Sequence, residues 1–178
     1  MKNQSRIRWI TRTAVFLALL VVLQALTASF GNTLVTGSVV NLLLIVSVMV
    51  CGPASGLSVA VLSPILAKLL GIGPFWSLIP FIIAGNVVLV LLWHFLGRLS
   101  GARGPILATA AAACAKFLVL YGGIVKVAIP FLLQLNGQQA AAVSHMFSLP
   151  QLATALIGGA AASLILPLLQ RALAGKQG

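Results

Sequence analysis

Long apolar runs separated by short polar breaks rich in glycine, proline and serine dominate the chain. Continuous runs of this kind indicate helices surrounded by lipid, because crossing the hydrocarbon core takes about 20 apolar residues. The pattern predicts an all-α integral membrane protein with six transmembrane helices. One membrane domain is expected to cover residues 1–178. The expected helices span approximately residues 13–30, 38–50, 54–70, 77–96, 105–133 and 149–170.

The fifth apolar run is long for a single span. It begins near Pro105, a residue favoured in the first turn of a helix, and extends to Leu133. Gly122 and Gly123, or Pro130 after them, are the positions where we expect this helix to break or kink.

Charge sets the expected orientation. The chain has 11 lysines and arginines and no aspartate or glutamate. With six spans and the N-terminus inside, eight of these cations fall on the cytoplasmic side and none in the outer loops, which is the positive-inside pattern. We therefore expect both termini in the cytoplasm of a prokaryotic cell, and no nucleic acid partner is needed to explain the basic charge. The eight cations are Lys2, Arg6, Arg8, Arg12, Arg98, Arg103, Arg171 and Lys176.

The absence of carboxylate side chains excludes several kinds of chemistry. Aspartyl or glutamyl hydrolysis, carboxylate-ligated metal sites and carboxylate proton coupling are all ruled out. His94 and His145 are far apart and lack further ligands, and Cys51 and Cys114 have no partner at ligand spacing. With no glycine-rich nucleotide loop either, the sequence predicts no enzyme activity, no metal and no cofactor.

Lys116 is the strongest candidate for a binding residue. It lies 11 residues beyond Pro105, which places it roughly 16 Å deep and near the middle of the bilayer. A lysine there costs on the order of 2.5–3.5 kcal/mol on insertion scales. Because the chain has no acidic residue, its partner must be water, a helix carbonyl, an anionic ligand or another protein. We favour an anionic ligand.

Two further lysines lie near the outer ends of helices. Lys68, in the third helix, and Lys126, in the fifth, can both snorkel to the interface. The Tyr121-Gly122-Gly123 sequence favours an irregular backbone that lines a cavity, so Lys126 and Tyr121 are candidate substrate contacts. The other candidate substrate contacts are Asn41, Asn86 and Gln151, and Gln24 in the first helix is a further polar residue at membrane depth. Interhelical hydrogen bonds are the alternative role for each of them.

The first helix carries a small-residue pattern after its basic start, with Ala14 and Ala18 four residues apart. In this and in its size and six spans, the chain resembles the substrate-binding S-component of energy-coupling factor (ECF) transporters. The resemblance implies that Ala14 and Ala18 contact the transmembrane coupling subunit of an ECF transporter. It also implies two cytoplasmic ATPases on separate chains, which would drive transport by toppling of the S-component within the membrane.

The same resemblance implies a site for a small nutrient in the outer half of the protein. Helices four to six would line it, and the loops at residues 31–37 and 134–148 would cover it. The candidate gating residues in these loops are Asn32, Thr33, Thr36 and His145. Metal transport is not expected, because Met1-Lys2-Asn3 lacks the Met-His start of the nickel and cobalt members.

Three functions remain open from the sequence. The preferred one is a subunit that captures an anionic or carboxylate-bearing vitamin or related micronutrient. The second is a non-transporting membrane subunit or assembly factor whose lysines pair with an acidic partner protein. A membrane enzyme that uses Lys116 or a histidine is the third.

Overall fold

The computed structural model describes the backbone of residues 2–101 and 103–174, and the side chains of residues 6–101 and 103–172. Within these ranges the regular structure is entirely helical. A 3₁₀ turn, Trp76–Leu78, precedes α4, and a π-helical segment, Tyr121–Leu132, continues α5. The helices are α1 (Lys2–Ala28), α2 (Thr33–Cys51), α3 (Pro53–Leu69), α4 (Ile79–Leu96), α5 (Arg103–Leu120), α6 (Gly137–Met146) and α7 (Leu149–Ala174).

The lengths and hydropathy of these helices fit a membrane bundle. Five helical stretches in the described part of the chain are long and apolar enough to cross a membrane, and α3 is a shorter apolar helix of 17 residues. The prediction of an all-α membrane fold is thereby confirmed.

Helix α2 lies at the centre of the bundle, where it packs against α1, α3, α4 and α7. Two glycines permit its close approach to α7. A Cβ atom on Gly158 would lie 2.7 Å from Cβ of Asn41, and one on Gly37 would lie 2.8 Å from Cγ2 of Thr154. Both distances are too short for carbon atoms, so only glycine fits at this crossing.

Two apolar clusters stabilise the bundle at different levels. The larger contains Leu44, Trp93 and Ala112, and the smaller, which contains Leu120 and Phe147, joins the π-helical segment to α6. Four buried polar residues lie beside the larger cluster, one each on α2, α4, α5 and α7, and those on α4 and α5 separate it from the smaller cluster. They are Asn41, Asn86, Lys116 and Thr154.

Helix α2 begins five residues before the predicted start at residue 38. Asn32 explains the difference, because its side chain accepts hydrogen bonds from the backbone N–H groups of Leu34 and Val35 at 3.0 and 3.4 Å. An asparagine in this position satisfies donors that a helix start leaves free. Thr33 and Thr36, which were expected in a loop, therefore lie in the first turns of α2. Helix α1 also begins early, at Lys2 rather than near residue 13.

The polar segment at 134–148, expected as a loop, contains the ten-residue helix α6. Its start is a capping box. The side chain of Asn136 accepts from the backbone N–H of Gln139 at 2.8 Å, and the side chain of Gln139 accepts from the backbone N–H of Asn136.

The fifth apolar run stays helical through Gly122 and Gly123. In place of a break, the hydrogen-bonding pattern widens from Tyr121 to Leu132, a region that also contains Pro130. Gly123 lets this segment approach α4, since a Cβ atom there would lie 2.5 Å from Cδ1 of Phe81.

Candidate substrate-binding site

Lys116 lies in the interior of the bundle with its side chain 4% exposed. Its Nζ atom donates hydrogen bonds to Oδ1 of Asn41 at 2.6 Å and to Oδ1 of Asn86 at 2.7 Å. These residues come from α5, α2 and α4 respectively. Three helices therefore meet at one ammonium group.

The fourth helix at this level, α7, contributes Thr154. Nδ2 of Asn41 donates to Oγ1 of Thr154 at 3.3 Å, and the same hydroxyl donates to the backbone oxygen of Gln151 at 3.1 Å. Because the amide nitrogen of Asn41 donates to Thr154, the carbonyl oxygen of the same side chain faces Lys116. The charge is thus held by two oriented amide dipoles.

The asparagine oxygens solvate the ammonium group without neutralising it. An ammonium has three N–H donors, and among the described residues two of them are taken by Asn41 and Asn86. Since the whole sequence contains no aspartate or glutamate, no side chain of this protein can supply a counter-charge. When Lys116 is protonated, one N–H donor and its positive charge therefore remain for another group.

Lys116, Asn41 and Asn86 also line a cavity of about 420 Å³. This volume lies within the range of small-molecule sites, roughly 300–1,000 Å³. The cavity follows α2 from Asn41 to Thr33. Eight residues of helix at about 1.5 Å each give a length of about 12 Å. The ammonium group lies at one end and the start of α2 at the other.

Two turns cover the side of the cavity near the start of α2. The turn after α3 contributes Ile72 and Pro74, and the end of α6 and the turn after it contribute Met146 and Phe147. Gln151 links the second turn to α7, because its Nε2 donates to the backbone oxygen of Met146 at 3.2 Å. The covering segments are thus short turns and the end of a helix.

The structure brings together seven of the ten residues that the sequence suggested for binding or gating. All seven line the cavity: Lys116, Asn41, Asn86, Gln151, Asn32, Thr33 and Thr36.

Lys126, Tyr121 and His145 do not line this cavity. Lys126 is exposed, and its Nζ atom lies 5.5 Å from the ring centroid of Tyr121, whose ring stacks on Phe117. His145 is exposed on α6. The π-helical segment places Lys126 on the outside of the bundle, in a cation–π contact with Tyr121 and away from this cavity.

Sequence reasoning missed Thr154, which orients Asn41, and left Gln24, which lines the cavity, outside the predicted site. The signal for Thr154 was its place one turn after Gln151 in an otherwise apolar and small-residue helix.

Ala14 and Ala18 are the candidate contacts with the coupling subunit. Both are exposed on α1, one helical turn apart and therefore on one face. Across the described residues, no three histidine, cysteine or acidic side chains lie together as a metal-binding group.

Comparison with known families agrees with this architecture. The model of the family described as "ECF transporter, substrate-specific component" matches residues 8–170. The chain belongs to this family. The resemblance inferred from the first helix and the six apolar runs is confirmed. No curated protein and no solved structure shows a significant match to the chain.

Membership establishes the broad role of the molecule. The substrate-specific component is a membrane subunit that takes part in transport and that binds substrate, and it is a multi-pass protein of the cytoplasmic membrane. The cavity around Lys116 is the candidate place for that substrate.

Proposed function

We propose that this substrate-specific component captures a small anionic, carboxylate-bearing vitamin or related micronutrient from outside the cell. Lys116 faces the anion, and Asn41 and Asn86 hold the ammonium group in place. The loaded subunit then topples in the membrane against a coupling subunit, and two cytoplasmic ATPases on separate chains supply the energy.

The observation that carries this proposal is the uncompensated charge of Lys116. Removing a cation from water is expensive unless it is paired, and Lys116 is 4% exposed in a protein without a single carboxylate side chain. A substrate anion supplies the missing charge and takes the remaining N–H donor. Charge-assisted hydrogen bonds of this type are roughly twice as strong as neutral ones.

The same observation weighs against an assembly factor whose lysines pair with an acidic partner protein. Lys116 lies at the inner end of a cavity inside its own bundle, so a side chain from a neighbouring protein would have to reach through the cavity or pass between the helices. A small ligand fits this geometry better than a protein surface does.

The arrangement of the cations supports the orientation needed for capture from outside. Six described arginines lie on the side of the bundle where α1 begins and α4 and α7 end. On that side, a hydrogen bond of 2.8 Å between the hydroxyl groups of Thr13 and Ser55 joins α1 to the start of α3. Under the positive-inside rule this end is cytoplasmic, and the end of the cavity near Thr33 faces outward. The arginines are Arg6, Arg8, Arg12, Arg98, Arg103 and Arg171.

Ligand carried through purification tests the proposal. The protein is expressed with its coupling subunit and ATPases, and bound small molecules are identified by mass spectrometry and quantified per mole of protein. We expect a carboxylate-bearing compound in the wild type, and we expect Lys116→Ala to retain less than a tenth as much.

Lys126→Ala is the matched control, because it removes the same charge from an exposed position outside the cavity. It should retain the ligand within twofold of wild type. If Lys116→Ala keeps the ligand as well as Lys126→Ala does, the anion argument is wrong. Recovery with an unrelated acidic membrane protein in place of a coupling subunit would favour the assembly-factor alternative.

A further inference from the structure

The cavity has an uneven distribution of charge. Among the described residues that line it, Lys116 is the only one with a charged side chain. The charge lies at the inner end, where Asn41 and Asn86 hold it, about 12 Å from Thr33 as measured along α2. One charge at one end means that the site distinguishes the two ends of a ligand.

The middle of the cavity is mostly apolar. Between the ammonium group and the start of α2, the wall includes Val40, Ile82, Leu120 and Phe147, and its polar side chain there is the uncharged amide of Gln151. Leu120 and Phe147 belong to the buried apolar cluster that joins the π-helical segment to α6. A charged group at this level loses its hydration without gaining a counter-charge, which is unfavourable.

The outer end is polar but uncharged. Asn32, Thr33, Thr36 and Gln24 line it, and they offer amide and hydroxyl groups only. These groups can exchange hydrogen bonds with a neutral polar group, but they provide no counter-charge for a second anion.

We propose that the substrate is an amphipathic monocarboxylate that binds with its carboxylate innermost. The carboxylate accepts a hydrogen bond from Lys116, an apolar body lies along the middle wall, and an uncharged end reaches the start of α2, so the whole ligand spans about 12 Å. This inference rests on the proposed function and narrows it, since it excludes dicarboxylates, phosphate esters with two charges, and cations. A second carboxylate would lie among apolar or neutral groups, and a cation would meet Lys116 without an intervening anion.

Three probes that share a chain of eight carbons test the proposed amphipathic monocarboxylate: octanoate, octanamide and octanedioate. Their dissociation constants are measured by titration calorimetry at pH 7.5 with the full-length protein in lipid nanodiscs. We expect octanoate to bind at least tenfold more tightly than either of the other two. Lys116→Met removes the charge and keeps a long flexible side chain, so the dissociation constants of the three probes should differ by less than threefold in this variant. The same variant measures how much of each probe partitions into the lipid.

The outcomes separate this inference from the proposed function. If octanedioate binds as tightly as octanoate and both exceed octanamide, an anion site exists and only the restriction to one charge is overturned. If octanamide binds as well as both acids, the anion proposal and this inference fail together. Should none of the probes bind, the amphipathic substrate is overturned. The wild-type comparison stands without any variant, so poor folding of Lys116→Met does not remove the test.

Discussion

The Nζ atom of Lys116 lies 2.6 Å from Oδ1 of Asn41, so the shortest contact of the buried ammonium group is to an amide and not to a carboxylate. An amide carbonyl offers a dipole, which orients and partly solvates the cation but leaves its net charge. An aspartate at the same position would differ by one atom and would cancel that charge. This difference separates a site that recruits an anion from a structural ion pair.

Asn41→Asp should therefore weaken anion binding strongly while preserving the fold. The new carboxylate lies beside an already buried ammonium group and supplies the counter-charge that the ligand would bring. We expect the dissociation constant of octanoate to rise tenfold or more, which corresponds to about 1.4 kcal/mol or more. The unfolding temperature without ligand should stay equal to that of wild type or increase, as measured by tryptophan fluorescence.

Asn41→Leu is the comparison for this variant. It removes the carbonyl oxygen and adds no charge, so both the unfolding temperature and octanoate binding should fall. Unchanged octanoate affinity in Asn41→Asp would show that Lys116 does not face the anion.

Thr154→Val should weaken octanoate binding by a moderate factor. Valine keeps the shape of threonine but removes the hydroxyl that accepts from Nδ2 of Asn41 at 3.3 Å. Asn41 can then rotate its amide and turn the nitrogen toward Lys116, where two donors repel. A neutral hydrogen bond contributes about 1 kcal/mol, so we expect an increase of roughly fivefold in the dissociation constant.

Thr154→Ser keeps the hydroxyl and should restore binding to within twofold of wild type. The preference for octanoate over octanamide is the second readout, because loss of packing alone would weaken both probes equally. If valine weakens both to the same extent, Thr154 contributes only to packing.

The contrast between Lys116 and Lys126 shows what the sequence can and cannot predict. Lys116 was identifiable because an ammonium group far from either end of an apolar run has no acidic partner anywhere in the chain. The position of Lys126 depends on which face the helix presents beyond Leu120. There the hydrogen bonds widen to a π-helical pattern, so angles counted on an ideal α-helix no longer apply. Linear spacing does not encode that change.

The starts of α2 and α6 could have been predicted from the sequence. Asn136 is followed by Gln139 three residues later, and this pairing is a known capping signal. Asn32 precedes the first residue of α2 and caps it. Both asparagines stood in segments interpreted as loops because those segments are polar. The packing of α2 on α7 was harder to predict from the sequence, since it depends on which glycine faces which helix.

Gly158→Ala should destabilise the protein by separating α7 from α2. The added Cβ would lie 2.7 Å from Cβ of Asn41 and 2.8 Å from the backbone oxygen of Ser38. Backbone atoms cannot move aside as a flexible side chain does, and overpacking of this kind costs about 1–3 kcal/mol. We expect a clearly lower unfolding temperature, together with weaker octanoate binding because Asn41 is displaced.

Gly122→Ala is the matched control for this change. A Cβ atom at Gly122 would have no neighbour within 4 Å, and the residue is helical. Its unfolding temperature should equal or slightly exceed that of wild type. Equal effects of the two substitutions would mean that loss of glycine, and not the α2–α7 crossing, causes the destabilisation.

Ala14→Leu should separate substrate binding from coupling. Ala14 and Ala18 are exposed on one face of α1, far along the chain from the residues around Lys116, and small residues allow a second helix to approach closely. A leucine should block that approach without touching the cavity. We expect octanoate affinity within twofold of wild type and at least tenfold lower recovery of the coupling subunit on co-purification.

Val15→Leu is the control for this change. Val15 is also exposed but lies about 100° around the helix, so a larger side chain there should leave recovery of the coupling subunit unchanged. Full recovery with Ala14→Leu would place the coupling surface on another face of the bundle.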